Sequence, residues 1–439
     1  MILLKHFYWK RKIKYITLQL YFFYKLLMKK TNKLQDFICR TELKMSPFFE
    51  RTSQINQSQE WKRWGGYLSA TQYDLHHDNE YFAIRTKAAL LDISPLYKYR
   101  IKGTDAQCFL DKLVTRNIQL CIVGQVMYSP WCDEEGKVID DGTIQFLAEN
   151  DFRLTSAEPN LTWLIDNSIG MDVSISDESD DISALALQGP KSRDILNSIS
   201  SKSLDSLKFF RLIETDLKGI PVTISRTGYT GDLGYEIWVD PSQSISLWDL
   251  LIKYGKRFGI TPVGLNALDI ARIEASLILL DVDYISSRHA LIENRKSSPY
   301  ELGLDWTVKM NGNNFIGKKA LLFEKKSPSN WKFRGIQIEW EPMEKLFKRV
   351  GLPPSLPSKA WRLSTPLYYN NKQVGYATSG CWSPIMKCYI ALAHIQEEYA
   401  QINSKLDFEI KVEHFNELTS AVVVETPFFN PERKMSCPN

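Results

Sequence analysis

The 439-residue sequence lacks the short motifs that mark metal and nucleotide sites. Its seven cysteines are scattered, with no CxxC pair and no cysteine–histidine cluster at zinc spacing, so no metal site is predicted. The absence of GxGxxG and of GxxxxGKS/T argues against a dinucleotide-binding dehydrogenase and a P-loop enzyme. Isolated thiols in odd number are typical of a reducing compartment, and a cytoplasmic location is expected.

Acidic residues are scarce at the N-terminus. Residues 1–45 contain 11 of the 55 basic residues and two of the 51 acidic ones. The rest of the chain has 44 basic and 49 acidic residues, a net charge of −5. A mildly acidic body gives no reason to expect a nucleic-acid partner.

The basic segment 1–44 has three interpretations. It is a translated upstream extension with Met45 as the working start, a targeting segment that would direct the protein to mitochondria, or a helix lying on a membrane surface. Transit peptides favour Arg and Ser, whereas this segment favours Lys and bulky aromatics. Gln19 and Lys25 interrupt its apolar stretch well short of the roughly 20 residues that span a bilayer, so no stable membrane insertion is expected.

The hydrophobic periodicity after residue 45 predicts an α+β body followed by an all-β C-terminal domain. Helices are predicted at residues 81–90, 105–113 and 265–280, the second capped by Thr104 and the third the longest. Strands are predicted at residues 126–131 and 138–147, which form a hairpin, and at residues 374–378, 390–395, 408–412 and 421–425.

Two adjacent aspartates, Asp140 and Asp141, lie in the second strand of that hairpin. Neighbouring side chains of a strand point to opposite faces, so one aspartate must face inward or into a cleft. A carboxylate at a cavity can hold a substrate amine or act as a base. Taken alone, an acidic pair near a turn is more often simply solvated.

A glycine-rich stretch at residues 226–236 (RTGYTGDLGYE) lies between two predicted strands. Its three glycines allow the backbone to approach a flat ligand. A carboxylate such as Glu236 suits the adjacent N–H donors of a pterin, and an aromatic such as Tyr229 can pack on its ring. By itself, such a stretch is more often an ordinary glycine turn.

Residues 264–275 (GLNALDIARIEA) have apolar positions at helical spacing, so most of this segment is expected to be core. Arg272 and Glu274 are polar residues in this mainly apolar helix. Pairing with other buried elements is the expected reason for their presence.

Together and in this order, the Asp-Asp hairpin, the glycine-rich stretch and the GLxAxDxxRxEA helix resemble the glycine cleavage T-protein, or aminomethyltransferase, superfamily. The resemblance extends from about Trp61 to the C-terminus. Supporting stretches occur in the expected order: ALQGP at 186–190, ELGLDWTV at 301–308, FIGKKAL at 315–321, VGYATSG at 374–380, Ser383-Pro384 and Thr426-Pro427-Phe428.

This resemblance implies an α+β fold of three domains, arranged as a cloverleaf around a central folate channel and ending in a β-barrel or jelly-roll-like domain. The first two domains are interleaved in sequence. The implied units are a folate-binding domain 1 of residues 45–97 and 177–285, a domain 2 of residues 98–176 and 286–322 that carries the catalytic aspartate, and a β domain of residues 323–439, with residues 1–44 outside the fold.

The resemblance also implies the site. It places the catalytic aspartate at Asp141, the pterin-binding glutamate at Glu236, the glycine-loop tyrosine at Tyr229 and a channel tyrosine at Tyr128. Tetrahydrofolate is the implied acceptor substrate.

The sequence departs from T-proteins at three places. Pro95-Leu96 replaces a usual His-Met, and Leu268 replaces a usual ligand-contacting arginine. An asparagine that usually follows the hairpin is replaced within residues 154–158. These positions are nearer the transferred group and the folate tail, so folate binding is predicted while the one-carbon donor stays open.

Two classes of function follow. The first is an enzyme that transfers a one-carbon group to tetrahydrofolate, either from the aminomethyl-lipoyl arm of H-protein or from a small N-, O- or S-methyl compound, as folate-dependent demethylases do. Asp141 would hold or deprotonate the reacting amine, whereas demethylases can draw a proton from a tyrosine such as Tyr128 or Tyr73. The second is a folate-binding regulatory or repair protein without transferase turnover.

We expect a chain that begins at Met45 to fold and to bind folate like the full chain. The reason is that residues 1–44 lie outside the resemblance and reverse the charge balance of the rest. Thermal unfolding of both chains measures this. A clearly lower melting temperature for the shorter chain would show that the segment packs on the fold.

Overall fold

The computed structural model describes residues 43–312 and 314–438, so the interpretations of the N-terminal extension concern residues outside the described part, apart from its last two. Described strands, in chain order, are β1 (Lys44–Met45), β2 (Trp61–Trp64), β3 (Tyr67–Ala70), β4 (Ala88–Asp92), β5 (Tyr97–Lys102), β6 (Val126–Cys132), β7 (Val138–Ala148), β8 (Asp151–Ser156), β9 (Ser174–Asp177), β10 (Ser183–Gln188), β11 (Leu212–Leu217), β12 (Ile220–Ser225), β13 (Gly234–Val239), β14 (Ile260–Pro262), β15 (Trp331–Ile338), β16 (Thr365–Tyr369), β17 (Lys372–Ser383), β18 (Cys388–Gln396), β19 (Lys405–Val412) and β20 (Phe415–Val424).

The α-helices are short. None in residues 43–312 and 314–438 combines the length and the apolar character needed to cross a bilayer. In chain order they are α1 (Phe49–Ile55), α2 (Asp78–Thr86), α3 (Ala106–Leu113), α4 (Leu161–Asn167), α5 (Ser192–Asn197), α6 (Ser244–Gly255), α7 (Leu265–Glu274), α8 (Lys318–Lys326) and α9 (Trp340–Arg349).

A six-stranded sheet with the order β11-β12-β13-β10-β4-β14 carries the glycine-rich stretch. Its strands are antiparallel except β14, which runs parallel to β4. Every second side chain of β13, namely Tyr235, Ile237 and Val239, points to the same face of the sheet, where it packs with α5 and α6 in an apolar core. Glu236 therefore lies on the opposite face of the sheet.

A five-stranded antiparallel sheet with the order β6-β7-β8-β5-β9 carries the two aspartates. The predicted hairpin is confirmed as β6 and β7, with Pro130 opposite Asp141 and the fully buried Trp131 opposite Asp140. Gly142 is required here, because a Cβ at that position would lie 1.9 Å from the carbonyl oxygen of Thr155 on β8. The glycine therefore allows β8 to lie close to β7 immediately beside Asp141.

The C-terminal part of the chain forms a closed barrel with the order β15-β18-β17-β16-β19-β20. This confirms the predicted α+β fold with a C-terminal β-barrel. Helix α9, which the sequence analysis does not predict, buries Met343 and Phe347 in the barrel core. These two side chains are four residues apart and so share one helix face, but one such pair is too short a pattern to indicate a helix.

Three details of the predicted helices are wrong. The helix predicted at 265–280 ends at Glu274, because Ser276 adopts a φ of 55°, and the longest described helix is instead the 12-residue α6. Residues 88–90 belong to the buried strand β4, since a short apolar run does not distinguish a strand from a helix. Thr104 does not cap α3, because its hydroxyl donates to Asp172 and the cap position is Asp105.

Helix α7 lies between the six-stranded sheet and the barrel. Its Leu268 packs against apolar side chains of that sheet, and the helix also packs against α2, β17 and β18. Glu274 and Arg272 of this helix are both paired with other polar groups, as predicted. Glu274 accepts hydrogen bonds from Arg85 and from the hydroxyls of Tyr81 and Ser383, each hydroxyl at 2.5 Å. Arg272 donates to Asp269 at 2.8 Å and also to Asp283.

Candidate active site

The carboxylate of Asp141 is held by two phenols. Tyr128 of β6 donates to Oδ2 at 2.9 Å, and Tyr284, in the segment after α7, donates to Oδ1. Burial raises the pKa of Asp141, while the hydrogen bonds from Tyr284 and then Tyr128 lower it. A part-buried carboxylate with remaining lone pairs can accept a proton or hold an amine.

Tyr284 is a site residue that the sequence analysis does not single out. It is 3% exposed and lies 143 positions from Asp141 along the chain. It follows a stretch whose apolar periodicity predicts a helix, and no local pattern indicates contact with so distant a hairpin. Only the burial of a phenol, which requires a hydrogen-bond partner, is a signal, and burial is not visible in the sequence.

Asp140 faces the other side of β7 and is 1% exposed. Its carboxylate accepts from the backbone N–H of Asp141 at 2.8 Å, the backbone N–H of Glu158 at 3.1 Å and the side-chain amide of Asn160 at 2.8 Å. Burial and the neighbouring Asp141 raise the pKa of Asp140. The two aspartates therefore occupy separate environments, as the strand alternation predicts, and Asp140 ties β7 to the segment after β8.

Aromatic side chains surround Asp141. The ring of Tyr128 stacks on that of Trp306, with centroids 6.0 Å apart. The hydroxyl of Tyr229 donates to the carbonyl oxygen of Ile278. Burial raises the pKa of Tyr128, and so does the neighbouring Asp141. The structure thus brings Tyr128 into contact with Asp141, and it ties Tyr229 to the segment between α7 and Tyr284.

Glu236, the fourth predicted site residue, lies on β13 of the six-stranded sheet. Its carboxylate accepts from the hydroxyls of Thr227 at 2.8 Å and Ser225 at 3.5 Å. Burial raises the pKa of Glu236, and the hydrogen bonds from Thr227 and then Ser225 lower it. The carboxylate is part-buried and has lone pairs beyond those two contacts.

The glycine-rich stretch is fixed by the C-terminal tail. Arg226, its first residue, is fully buried and donates to the backbone carbonyls of Lys434 at 3.1 Å and Ser436 at 2.6 Å. Arg433 in turn donates to both carboxylate oxygens of Asp232, at 2.6 and 2.7 Å. The arginine of this motif therefore has a structural role in which it anchors the tail beneath the stretch that carries Tyr229.

Leu268, where the sequence departs from T-proteins, packs against the apolar side chains around Trp238. The next residue, Asp269, accepts from Arg272 at 2.8 Å and from Arg362 at 2.7 Å. An arginine from the segment before β16 thus lies beside the helix position at which the usual arginine is replaced.

Two family descriptions match this chain: the GCVT N-terminal domain over residues 49–312 and the glycine cleavage T-protein C-terminal barrel domain over residues 348–430. The chain belongs to the glycine cleavage T-protein family. Together these matches cover most of the described residues, including all four predicted site residues in the first of the two domains.

Relatives and a solved structure agree with this assignment. The aminomethyltransferase of Halothermothrix orenii is 32% identical over 88% of this chain and 100% of its own length. That of Alkaliphilus metalliredigens is 34% identical over 79% of this chain and 89% of its own length. The crystal structure of glycine cleavage system aminomethyltransferase T from Bartonella henselae superposes with a TM-score of 0.75 at 23% identity, covering 89% of this chain and 99% of its own. The predicted superfamily and the predicted class of enzyme, a one-carbon transferase, are confirmed.

We expect Asp140→Asn to destabilise the protein more than Asp141→Asn. Three N–H donors point at the Asp140 carboxylate, so an amide would direct its own N–H2 group at one of them, at a cost of roughly 1–3 kcal/mol. The phenols at Asp141 can rotate their hydroxyls to accept from an amide instead. Denaturant unfolding of the two variants measures the difference, and equal free energies of unfolding would contradict the two environments assigned to these residues.

Proposed function

We propose that this protein binds tetrahydrofolate and transfers a one-carbon unit to it. The observation that supports this most directly is the pair of hydrogen bonds from Tyr128 and Tyr284 to the Asp141 carboxylate, in a chain of the T-protein family. The Glu236 carboxylate lies at the other end of the glycine-rich stretch that carries Tyr229. We assign recognition of the ligand to Glu236 and proton chemistry to Asp141.

Glu236 suits a pterin ring. The edge of a pterin presents adjacent N–H donors, which a carboxylate can accept in pairs, as it accepts a guanidinium. The described hydrogen bonds of Glu236 come from two hydroxyls, which leave room for such a pair. The rings of Tyr128 and Tyr229 supply aromatic surfaces on which a flat ligand can pack.

Asp141 is the residue that would act on the reacting amine. Burial raises its pKa toward the working range of a general base, and the two phenols keep its carboxylate in one orientation. Holding donor and acceptor nitrogen at this carboxylate supplies the proximity from which much of the rate advantage arises.

The aminomethyl-lipoyl arm of H-protein is the first candidate donor, because similar proteins along nearly the whole chain are named aminomethyltransferases. A small one-carbon donor is the other. We place the protein in the cytoplasm, with mitochondria the alternative if residues 1–44 are a targeting segment.

Demethylation of a small methyl compound is a second candidate function, and the phenols at Asp141 favour it. A tyrosine hydroxyl beside a carboxylate can deliver a proton to a leaving heteroatom, and the carboxylate can take the proton that the folate nitrogen loses when it is methylated and pass it back to the tyrosine. Tyr128 is placed for this role. Tyr73 instead borders a small cavity that Asp92 also lines. Burial and Asp92 raise its pKa, so the carboxylate beside Tyr73 is that of Asp92 and not that of Asp141.

We expect Glu236→Ala to weaken tetrahydrofolate binding at least tenfold, because losing a charge-assisted contact of this kind costs roughly 1.5–3 kcal/mol. Isothermal titration calorimetry measures the affinity. Glu214→Ala, which removes an exposed carboxylate from β11 of the same sheet, is the matched control and should bind like the wild type. Equal affinities for the two variants would remove Glu236 from the site.

We expect Asp141→Asn to retain folate affinity and to lose most turnover, since a general base contributes about 10²–10⁴-fold. Mass spectrometry of the folate product with each candidate donor gives the assay: methylenetetrahydrofolate indicates aminomethyl transfer and methyltetrahydrofolate indicates demethylation. Asp140→Asn, once corrected for folded fraction, should be much milder. Binding without any product would favour the regulatory alternative, and full activity of Asp141→Asn would exclude the aspartate mechanism.

A further inference from the structure

The two phenols at Asp141 differ in how they are presented. Tyr128 is part-exposed and stacks on Trp306, so its ring can also face a ligand. Tyr284 is 3% exposed, and its hydroxyl is directed at Oδ1 of the carboxylate. A side chain buried to this extent has little surface left for a substrate, and its described polar contact is with Asp141.

We propose that Tyr284 is a positioning residue, which fixes the orientation and the charge of the Asp141 carboxylate for one-carbon transfer. The inference rests on the proposed function of Asp141. A carboxylate offers about four lone-pair positions, and the two phenols occupy one on each oxygen, so two remain for a substrate. A carboxylate held at both oxygens cannot rotate, and the remaining lone pairs therefore point in fixed directions.

The backbone at Tyr284 is held by its neighbour Asp283, which is 1% exposed. One carboxylate oxygen of Asp283 accepts from the hydroxyls of Thr378 at 2.5 Å and Ser379 at 2.8 Å. The other accepts from Arg272 and from the backbone N–H of Leu279 at 2.9 Å. Tyr284 is thus fixed through contacts with both α7 and the barrel strand β17.

Whether the loss of the Tyr284 hydroxyl raises or lowers the pKa of Asp141 depends on the charged and titratable groups near that carboxylate. Tyr128 and Tyr284 donate hydrogen bonds to it, Tyr229 and Asp283 lie on its side of the strand, and Asp140 acts on it from the opposite face of β7. Burial raises the pKa of Asp141 and so does the negative charge of Asp283, whereas the hydrogen bond from Tyr284 is the largest influence that lowers it. Removing that hydroxyl should therefore raise the pKa of Asp141 and reduce the fraction ionised at a given pH.

The test is Tyr284→Phe in the full chain, with two measurements. The first is an NMR titration of protein labelled with ¹³C at the aspartate carboxyls, in which the Asp141 signal is the one lost in Asp141→Asn. We expect the pKa of Asp141 to rise by about one unit, because that shift corresponds to the free energy of one lost charge-assisted hydrogen bond. The second is the pH profile of kcat/KM, which reports the free protein. Its acid limb should move to higher pH by the same amount, so that kcat/KM falls about tenfold at pH values on the limb and less at higher pH.

Tyr81→Phe is the matched control. Tyr81 is also fully buried and also donates to a carboxylate, that of Glu274, so the change removes a comparable hydrogen bond away from Asp141. Its melting temperature shows what such a loss does to stability, and its Asp141 pKa and acid limb should match the wild type. If Tyr284→Phe does not fold, Ser379→Ala replaces it, because it loosens Asp283 while leaving the phenol; a smaller rise in the Asp141 pKa is then expected.

The outcomes separate the inference from the proposed function. A raised Asp141 pKa together with a shifted acid limb supports both. A raised pKa in a protein that makes no folate product with any donor supports the contact between Tyr284 and Asp141 and overturns the catalytic role. An Asp141 pKa and an acid limb that match those of Tyr81→Phe, or an unchanged pKa in Ser379→Ala where that variant is needed, would overturn Tyr284 as a positioning residue.

Discussion

The Asp283 carboxylate joins parts of the chain that are far apart in sequence. Its oxygens accept hydrogen bonds from Arg272, the backbone N–H of Leu279, Thr378 and Ser379, and its backbone carbonyl lies 2.7 Å from Nε2 of His394. Taking a carboxylate out of water costs several kcal/mol, and the cost is offset only when its lone pairs are well satisfied. Because these donors come from α7, the segment after it and two barrel strands, they meet only when the barrel is docked on α7. The barrel therefore contacts the segment that carries Tyr284, whose hydroxyl donates to Asp141.

Local sequence patterns predict the parts of this site that belong to single elements. Strand alternation places Asp140 and Asp141 on opposite faces of β7, and the structure gives them separate environments. The same alternation puts Glu236 on the opposite face from the helix-covered core formed by Tyr235 and Ile237. In each case the information lies within a few residues, so a periodicity of two suffices. The order of an α+β body and an all-β C-terminal domain follows from the same kind of pattern, whereas the barrel form of that domain is what the family resemblance implies.

Contacts between distant segments could not be predicted in this way. Tyr284 becomes a site residue only because the segment after α7 turns back to the hairpin, and the apolar run of residues 277–280 suggested a longer helix instead. Arg226 illustrates the same limit, because the motif around it indicates a ligand loop, whereas its guanidinium anchors the C-terminal tail. A positive φ at Ser276 and a docked tail are properties of the assembled fold, and no short window of sequence contains them.

The separation of Asp141 from Tyr284 along the chain has a consequence for biosynthesis. The two residues are 143 positions apart, and Ser379 follows Asp283 by another 96. A ribosome that adds about 5–20 residues per second needs roughly 7–30 seconds to pass from Asp141 to Tyr284, and several more to reach the barrel. During that interval the nascent hairpin carries a carboxylate with only one of its two phenols. The environment of Asp141 is thus complete only after translation has passed Tyr284, and a chain terminated before that point would carry the hairpin without its second phenol.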